Sequence, residues 1–334
     1  MVKMKQINRY PLDQCCLYKC RSKKRLAKVL NIEPGTIHKI HEYIKYHNFE
    51  ISKNDEGDKR KISSPNHVLK EVQQNILKKM VKIKRPDWLI SGEKGKSYIT
   101  NAKYHQNGIY ALTIDIKSFY DNCQREYVYR FFKDKLEMES DIAALVTDIV
   151  TYEKRIPTGT PTSQLISYYA YEDMFNEINE IAFRHGCKFS LYVDDMSFSS
   201  VNSFEYKLLM NDVEKTLKKY GHRLKKSKVN YYGKKDVKTY TGVVINTKGE
   251  LTVPNKLRKK VYENFQNVKN EDVINFGDKT TYKTYQTLVG QLNAAKNIEK
   301  GIFPEIDRIT KQKKISERKT TSLRLRKRNS TIKL

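Results

Sequence analysis

Leu191-Tyr-Val-Asp-Asp-Met196 is the stretch that decides the fold, because two adjacent acids stand inside an otherwise apolar segment. Adjacent residues of a continuous strand face opposite sides of a sheet, so the two aspartates can share one site only in a tight turn between strands. Asp is well tolerated in such turns. The flanking residues, from Phe189 to Phe198, favour a buried hairpin over a solvated acidic turn. Lys188 to Ser200 is therefore predicted to be strand, turn and strand.

A third acid ends an apolar strand about eighty residues earlier. The segment from Ile109 to Ile116 alternates with period two, and Asp115 lies near its end on the face of small residues. If this strand packs beside the hairpin, three carboxylates meet and form a hard-oxygen site for two Mg²⁺ ions. In-line phosphoryl transfer requires that arrangement, with one ion lowering the pKa of a primer hydroxyl and the other neutralising the triphosphate.

The acids stand in a strongly basic chain. Its 334 residues include 65 Lys and Arg against 38 Asp and Glu, a formal net charge of +27, which predicts a polyanionic partner. The 23 Tyr and 12 Phe add rings that could stack on bases. No stretch approaches the roughly 18 apolar residues of a spanning helix, and no signal segment opens the chain. We therefore expect a cytoplasmic protein without a membrane partner.

The five cysteines fit a reducing compartment, because an odd number without regular spacing argues against a disulfide framework. Cys15, Cys16 and Cys20 could be metal ligands, but without a C-x-x-C pair they are better interpreted as ordinary thiols.

The remaining pattern is mostly helical. The first hundred residues are predicted to be mainly helical and basic, and the helical region from Asn255 onward ends in a basic tail, residues 311–334, expected to be disordered until it meets its partner. Further predicted elements are helices at Arg21 to Leu30, Val68 to Val81, Glu126 to Val150 and Glu205 to Tyr220, a helix from Thr162 or Ser163, and strands at Val229 to Tyr232 and Lys238 to Ile245.

Three motifs resemble those of reverse transcriptases. Tyr192-Val-Asp-Asp195 looks like the Y-x-D-D signature, and Leu112 to Tyr120 resembles the first palm motif. Ile156 to Ser167 is similar to the loop-to-helix element that lies against template and incoming nucleotide. The resemblance implies an α+β right-hand polymerase fold with fingers, an antiparallel palm sheet with helices, and a helical thumb. The implied domains are an N-terminal helical region and fingers (1–104), a palm (105–245, with a fingers segment at about 122–156), a thumb (246–310) and the tail (311–334).

The resemblance also assigns site residues. It implies metal ligation by Asp115, Ile116, Asp194 and Asp195, and a role for Lys228 in pyrophosphate departure. The implied nucleotide-binding residues are Arg60, Phe119, Tyr120, Thr158, Gly159 and Gln164. A bulky ring at Tyr120 would collide with a 2′-hydroxyl and select deoxynucleotides. Thr158 stands where Gln is usual, and Gln164 stands where retron enzymes often have Pro.

Two shorter motifs are similar to those of retron reverse transcriptases. They are Asn101-Ala-Lys-Tyr-His105 and Tyr240-Thr-Gly242, whose Asn101, His105, Tyr240, Thr241 and Gly242 would contact RNA. His105 could equally be a structural histidine. The resemblance implies an enzyme that primes from a 2′-hydroxyl of its own structured noncoding RNA and makes a branched RNA–DNA hybrid (msDNA) from deoxynucleoside triphosphates. It also implies anti-phage defence with a separate effector protein, and RNA gripped by residues 255–334.

Two alternatives stay open at this level. Ser163-Gln164 resembles the reverse transcriptases of diversity-generating elements, although the two shorter motifs favour retrons. A catalytically inert RNA-binding scaffold with a polymerase fold is the alternative from a different class. An RNA-dependent RNA polymerase is disfavoured, because Tyr120 is aromatic where a small polar residue would be expected.

Overall fold

The structure is a computed structural model that describes residues 8–52 and 59–315 and divides into two compact units, up to Asp236 and from Val237 onward. The α-helices are α1 (Lys23–Leu30), α2 (Pro34–His38), α3 (Ile40–Tyr43), α4 (His67–Met80), α5 (Tyr98–Tyr104), α6 (Phe119–Asn122), α7 (Arg125–Arg130), α8 (Ser140–Val150), α9 (Ser163–Ala170), α10 (Glu172–Arg184), α11 (Tyr206–Lys219), α12 (Asn255–Val268), α13 (Lys279–Ile298) and α14 (Pro304–Gln312). The strands are β1 (Tyr46–Ser52), β2 (Lys59–Pro65), β3 (Tyr110–Asp115), β4 (Lys188–Tyr192), β5 (Asp195–Ser200), β6 (Asn230–Tyr232), β7 (Lys238–Tyr240), β8 (Val243–Ile245), β9 (Leu251–Thr252), β10 (Val273–Ile274) and β11 (Lys314–Ile315).

A four-stranded antiparallel sheet in the order β4-β5-β3-β6 carries the three acids. The strand predicted around Leu112 and the hairpin predicted from Lys188 to Ser200 are both confirmed. In the register of β3 and β5, Asp115 is the partner of Asp195. Tyr192 pairs with Asp195 across the hairpin, which leaves two residues in the turn. The pairing of β3 with β5 thus places Asp115 opposite Asp195 at one end of the sheet.

Helices cover the sheet and share one core with it. The helix predicted from Thr162 or Ser163 is divided at Tyr171 into α9 and α10. Met174, Phe175 and Ile178 of α10 are buried in the same cluster as Phe189 of β4 and Phe198 of β5. Burial of such side chains contributes roughly 1.5–3 kcal/mol each. The end of the sheet that carries the acids is therefore supported by a closely packed core.

The segment predicted as one helix from Glu126 to Val150 is broken, and that prediction is wrong in its middle. α7 runs into a π-helical turn at Phe131–Lys135, and α8 begins at Ser140. Between them Glu137 adopts a left-handed backbone with φ of 48°, which ends a helix. Leu136 and Met138 are buried on either side of it, so burial of these two side chains favours the break.

The first hundred residues also contain a hairpin that the prediction of mainly helical structure missed. β1 and β2 pair over seven residues each, from Tyr46 opposite Pro65 to Ser52 opposite Lys59. Most of their side chains are exposed on both faces, so the segment lacks the apolar alternation that signals a strand. Cross-strand hydrogen bonds and pairs such as Glu50 with Lys59 stabilise the hairpin instead.

The second unit combines a small sheet with helices. β7, β8 and β9 form a three-stranded antiparallel sheet, and the predicted single strand Lys238 to Ile245 is interrupted at Thr241 and Gly242, both of which have positive φ. α12, α13 and α14 pack around Val261, Leu288 and Ile306, as predicted for the region from Asn255. The predicted boundaries at 104, 245 and 310 stay predictions, and residues 316–334 of the predicted tail lie outside the described residues.

Among the helices of the two described ranges, none has both the length and the apolar composition that crossing a bilayer requires.

Candidate active site

The turn that carries the paired acids is conformationally strained. Val193 has φ of 63°, a left-handed conformation that β-branched residues rarely adopt. Its backbone N–H donates to Ser91 Oγ at 3.0 Å, and the carbonyl of Asp194 accepts from the N–H of Ile116 at 3.3 Å. These bonds tie the turn to the protein on both sides. Such strain persists only where the surroundings determine it, and it is typical of functional sites.

The three carboxylates face one cleft and repel one another. Asp115 is buried, and Asp194 and Asp195 are half-buried. Burial, followed by the neighbouring carboxylates, raises the pKa of Asp194 and Asp195 above the usual range of an aspartate. Lys228 partly compensates, because its Nζ lies 3.3 Å from Asp115 Oδ2. The site therefore has a deficit of positive charge that cations would relieve.

The donor set suits Mg²⁺, although it is not a closed cage. Within residues 8–52 and 59–315, no three His, Cys, Asp or Glu side chains are grouped as a ready-made metal site. Mg²⁺ is commonly held by one or two carboxylates together with water and substrate phosphates. Asp115 and Asp195 pair across the sheet, and Asp194 and Ile116 line the same cleft, so these residues would hold the ions when a triphosphate completes the coordination.

The cleft in front of the acids has a volume of about 880 Å³ and gathers most of the predicted site. Arg60 reaches it from β2, and Lys228 from the segment after α11. The positive charge of Arg60 opposes the rise in the pKa of Asp194. All predicted catalytic, metal and nucleotide-binding residues border this cleft; they are Arg60, Asp115, Ile116, Phe119, Tyr120, Thr158, Gly159, Gln164, Asp194, Asp195 and Lys228.

Phe119 and Tyr120 play different structural roles. Phe119 is almost fully buried, and its ring lies 6.0 Å from that of Phe175 in the core. Tyr120 is half-buried and lies near Asp194, which together with burial raises the pKa of its hydroxyl. Of the two aromatics, Tyr120 is thus the less buried one, and it also borders the cleft.

The loop before α9 requires glycine. Gly159 has φ of 111°, and a Cβ there would lie 2.7 Å from Cγ2 of Ile62 on β2. The neighbouring carbonyl of Thr158 accepts a hydrogen bond of 2.8 Å from the N–H of Ser63. The loop is therefore fixed to the hairpin that carries Arg60, and Gln164 at the start of α9 faces both the cleft and Gly92.

The assignment of Asn101, His105 and Tyr240 to RNA contact requires a correction, because their side chains are at most 1% exposed. His105 packs against the β4–β5 hairpin, with Nδ1 at 2.7 Å from Ser199 Oγ and Nε2 at 2.7 Å from Ser190 Oγ. The geometry supports the alternative interpretation of His105 as a structural histidine. Thr241 and Gly242 are at least partly exposed, and their contact with RNA stays a prediction.

Sequence reasoning missed the residues that hold the hairpin in place. Ser190 and Ser199 bond to His105, and Ser91 bonds to the turn. The available signal was the presence of small hydroxyl side chains at inward positions of strands that are otherwise apolar. Lys225, which also borders the cleft, gave no signal beyond its charge.

An antiparallel sheet with carboxylates at one end, and cations arranged around them, defines a polymerase palm. Residues 51–245 match the family described as reverse transcriptase (RNA-dependent DNA polymerase), and the chain belongs to that family.

The curated relatives confirm the resemblance to retron enzymes. The chain is 26% identical over 160 residues to the Retron Se72 reverse transcriptase of Salmonella heidelberg, covering 46% of this chain and 41% of that one. It is 25% identical over 225 residues to the Retron Ec48 reverse transcriptase of Escherichia coli, covering 63% and 55%. The chain thus spans about half the length of these relatives.

Solved structures to which the chain is similar include a foamy viral protease-reverse transcriptase in complex with double-stranded DNA. It has a TM-score of 0.46 at 17% identity and covers 86% of this chain and 42% of that one. A telomerase from Candida albicans, with a fragment of telomeric RNA, has a TM-score of 0.47 at 11% identity and covers 81% and 56%.

Proposed function

We propose that this protein is an RNA-directed DNA polymerase that uses two Mg²⁺ ions. The observation that carries the proposal is the pairing of Asp115 with Asp195 across the sheet, beside Asp194, in one cleft that also contains Arg60 and Lys228. Bound Mg²⁺ would supply Lewis acidity at the primer hydroxyl and neutralise phosphate charge. The carboxylates suit this task, because their mutual repulsion favours binding of divalent cations.

The side chains around the acids divide the remaining work. Arg60 would pair with the triphosphate, since a guanidinium binds phosphate oxygens bidentately. Lys228 would leave Asp115 when ions bind and would then interact with the departing pyrophosphate. Tyr120 would lie beneath the sugar and exclude a 2′-hydroxyl. The fixed loop at Thr158 and Gly159 would position the base against the template.

We further propose that the template is the protein's own structured noncoding RNA, as in a retron. Synthesis would start from a 2′-hydroxyl of that RNA and give a branched RNA–DNA product, msDNA. The partners would be this RNA, the msDNA, deoxynucleoside triphosphates and a separate effector protein, acting in the cytoplasm in defence against phage. Similarity to retron reverse transcriptases over 46–63% of the chain supports this proposal.

Primer extension on an RNA template tests the polymerase proposal. The natural protein is expected to add deoxynucleotides in the presence of Mg²⁺, and Asp194→Asn and Asp195→Asn are each expected to lower the rate by at least about 10³-fold, on the scale of removing a principal electrostatic contributor. Lys215→Gln, on the exposed face of α11, is the matched control and should retain the rate. Synthesis that survives both aspartate changes would reject the mechanism, and an inactive natural protein would favour the inert scaffold.

The retron proposal is tested separately on the nucleic acid that co-purifies with the protein from its host. A single short DNA joined covalently to RNA is expected on sequencing. Cleavage by a debranching enzyme specific for 2′-linked branches should release the DNA from the RNA. A heterogeneous set of mutated DNA copies would instead identify a diversity-generating element.

A further inference from the structure

A second basic concavity lies in the N-terminal part of the chain, separate from the catalytic cleft. We call it the α1 pocket; it has a volume of about 820 Å³ and is formed largely by α1 and the residues that follow it. Its cations are Lys24, Arg25, Lys28 and Lys79, and Val29 and Ile32 contribute apolar surface. The pocket and the cleft have no lining residue in common.

The four cations of the α1 pocket are unpaired within the part of the chain that the structure describes. No acid lines the pocket, and none of the four forms an ion pair with the residues that the structure describes. On α11, by contrast, Lys215 and Lys218 pair with Asp212 and Glu214. Grouping like charges costs electrostatic free energy, and binding of a polyanion offsets that cost.

The fold itself does not require this charge. α1 is anchored by buried Leu26, Ala27 and Leu30, and its N-terminus is capped by Ser22, whose Oγ accepts from the N–H of Arg25. The three pocket cations of α1, Lys24, Arg25 and Lys28, are exposed, and Lys79 of α4 is partly exposed. The basic face is thus free to serve binding.

The chemistry of the pocket favours paired RNA over single strands. Proteins bind single-stranded nucleic acid largely by stacking bases on aromatic rings, and no aromatic side chain of the described residues lines the α1 pocket. Double-helical RNA is recognised mainly through its shape and its phosphates, which four cations around a concave surface can contact. Beyond Lys28, Glu33 and Glu71 line the adjoining hollow, so the basic surface ends there.

We propose that the α1 pocket binds the phosphate backbone of a double-helical stem in the RNA partner, outside the catalytic cleft. The choice of RNA as the polyanion rests on the proposed function. Such a contact would hold the folded RNA while its template segment occupies the cleft, and would add to affinity without reading sequence.

The thiol of Cys16 can be used to detect binding at the α1 pocket. Of the five cysteines, Cys16 alone is partly exposed, and it lines the α1 pocket, while the other four are buried. An RNA hairpin with a stem of about 16 base pairs, the span of a double-stranded-RNA module, is expected to slow alkylation of Cys16 several-fold at moderate salt. Mass spectrometry of the alkylated natural protein measures the rate. A single-stranded RNA of equal length should protect Cys16 less.

Charge reversal tests the cations directly. The triple variant Lys24→Glu, Arg25→Glu, Lys28→Glu is expected to bind the hairpin at least about tenfold more weakly than the natural protein, with a shallower salt dependence, since each lost phosphate contact lowers the slope by about 0.9. The matched control Lys207→Glu, Lys215→Glu, Lys218→Glu changes the net charge equally on α11 and should lose less affinity. Circular dichroism should show that both variants fold.

The outcomes separate this proposal from the proposed function. Primer extension on a short template-primer, which does not extend beyond the cleft, should be retained by the α1 variant. Equal loss of affinity in both charge variants, or full Cys16 reactivity in the RNA complex, would overturn the α1 pocket even if the enzyme is active. Protection of Cys16 by acidic phospholipid vesicles but not by RNA would also overturn it. An inactive natural protein that still shows Cys16 protection would reject the polymerase alone.

Discussion

Asp115, Asp194 and Asp195, the proposed metal ligands, lower the stability of the folded protein. Three carboxylates that face one cleft repel one another, and Lys228 is the cation in contact with Asp115. Residues at functional sites are often unfavourable for folding in this way. In the proposed mechanism the same repulsion would favour binding of divalent cations.

Asp195→Asn is therefore expected to stabilise the protein while abolishing polymerase activity. Removing one of three interacting charges should raise the free energy of unfolding by on the order of 1–2 kcal/mol, a rise in Tm of roughly 2–8 °C for a unit of this size. The measurement is thermal unfolding with a chelator present. Added Mg²⁺ should raise the Tm of the natural protein more than that of the variant. A lower Tm for the variant would show that the carboxylate stabilises the fold.

Tyr120 is the residue from which we expect sugar discrimination, because Phe119 is committed to the core. Tyr120→Val should open space beneath the sugar and increase incorporation of ribonucleotides relative to deoxynucleotides by one to two orders of magnitude, corresponding to about 1.4–2.8 kcal/mol. Single-nucleotide extension with each substrate measures the ratio. Tyr120→Phe keeps the ring and should retain discrimination. Unchanged selectivity in Tyr120→Val would remove Tyr120 from this role.

Sequence predicted the acids well and His105 poorly, for a physical reason. A pair of aspartates inside an apolar hairpin has few explanations other than cation binding, since burying charge is costly. A histidine has the same appearance in sequence whether it is buried or exposed. Its role here depends on Ser190 and Ser199, which lie about ninety residues away in the chain and are brought near only by folding.

At the scale of elements, the β4–β5 hairpin is held in place by hydrogen bonds to His105 and Asn101. Ser190 Oγ donates to Asn101 Oδ1, so it accepts from the Nε2–H of His105, and Nδ1 then accepts from the hydroxyl of Ser199. The ring is thus neutral and joins both strands of the hairpin. Burial lowers the pKa of His105 to about 3, in agreement with a neutral ring.

His105→Ala should destabilise the first unit by about 2–4 kcal/mol, because it leaves two buried hydroxyls without this partner and creates a cavity. Denaturant unfolding measures the change. Polymerase activity should fall through kcat, since the hairpin carries two of the three acids, while affinity for RNA should change little. A selective loss of RNA affinity with normal stability would restore the RNA-contact interpretation. His105→Asn, which can reach one serine, should be intermediate.

Secondary-structure elements were predicted correctly where the sequence has an apolar period. The predictions were wrong where tertiary contacts determine where an element begins or ends. β3 has a clear period and was predicted, whereas the helix predicted from Thr162 or Ser163 is divided at Tyr171 into α9 and α10. The β1–β2 hairpin is largely exposed and has no such period. The break near Glu137 depends on burial of Leu136 and Met138 by other elements. A local pattern does not contain that information.

At the scale of the whole molecule, two histidines couple folding to pH. His105 is bonded to serines, whereas neither nitrogen of His222 has a hydrogen-bond partner among the described residues, and its ring lies 4.5 Å from that of Tyr171. Burial lowers the pKa of His105 to about 3 and that of His222 to about 4, against 6.5 in an exposed histidine. Both are neutral in the folded protein near pH 7.

Acid should therefore unfold the protein before the carboxylates of its surface ion pairs are titrated. Below pH 6.5 the unfolded chain takes up protons at these histidines and the folded chain does not, so each lowers the free energy of unfolding by up to about 1.4 kcal/mol per pH unit until its folded pKa is reached. Asp194 and Asp195 act in the opposite direction, because their raised pKa values mean that protonation relieves repulsion in the folded state. His222→Leu fills the ring-lined site with a similar volume and removes one proton-binding group, so its acid midpoint should shift to lower pH than that of the natural protein. Circular dichroism between pH 7 and 3 measures the midpoints, and an unchanged midpoint in His222→Leu would show that His222 does not contribute to acid unfolding.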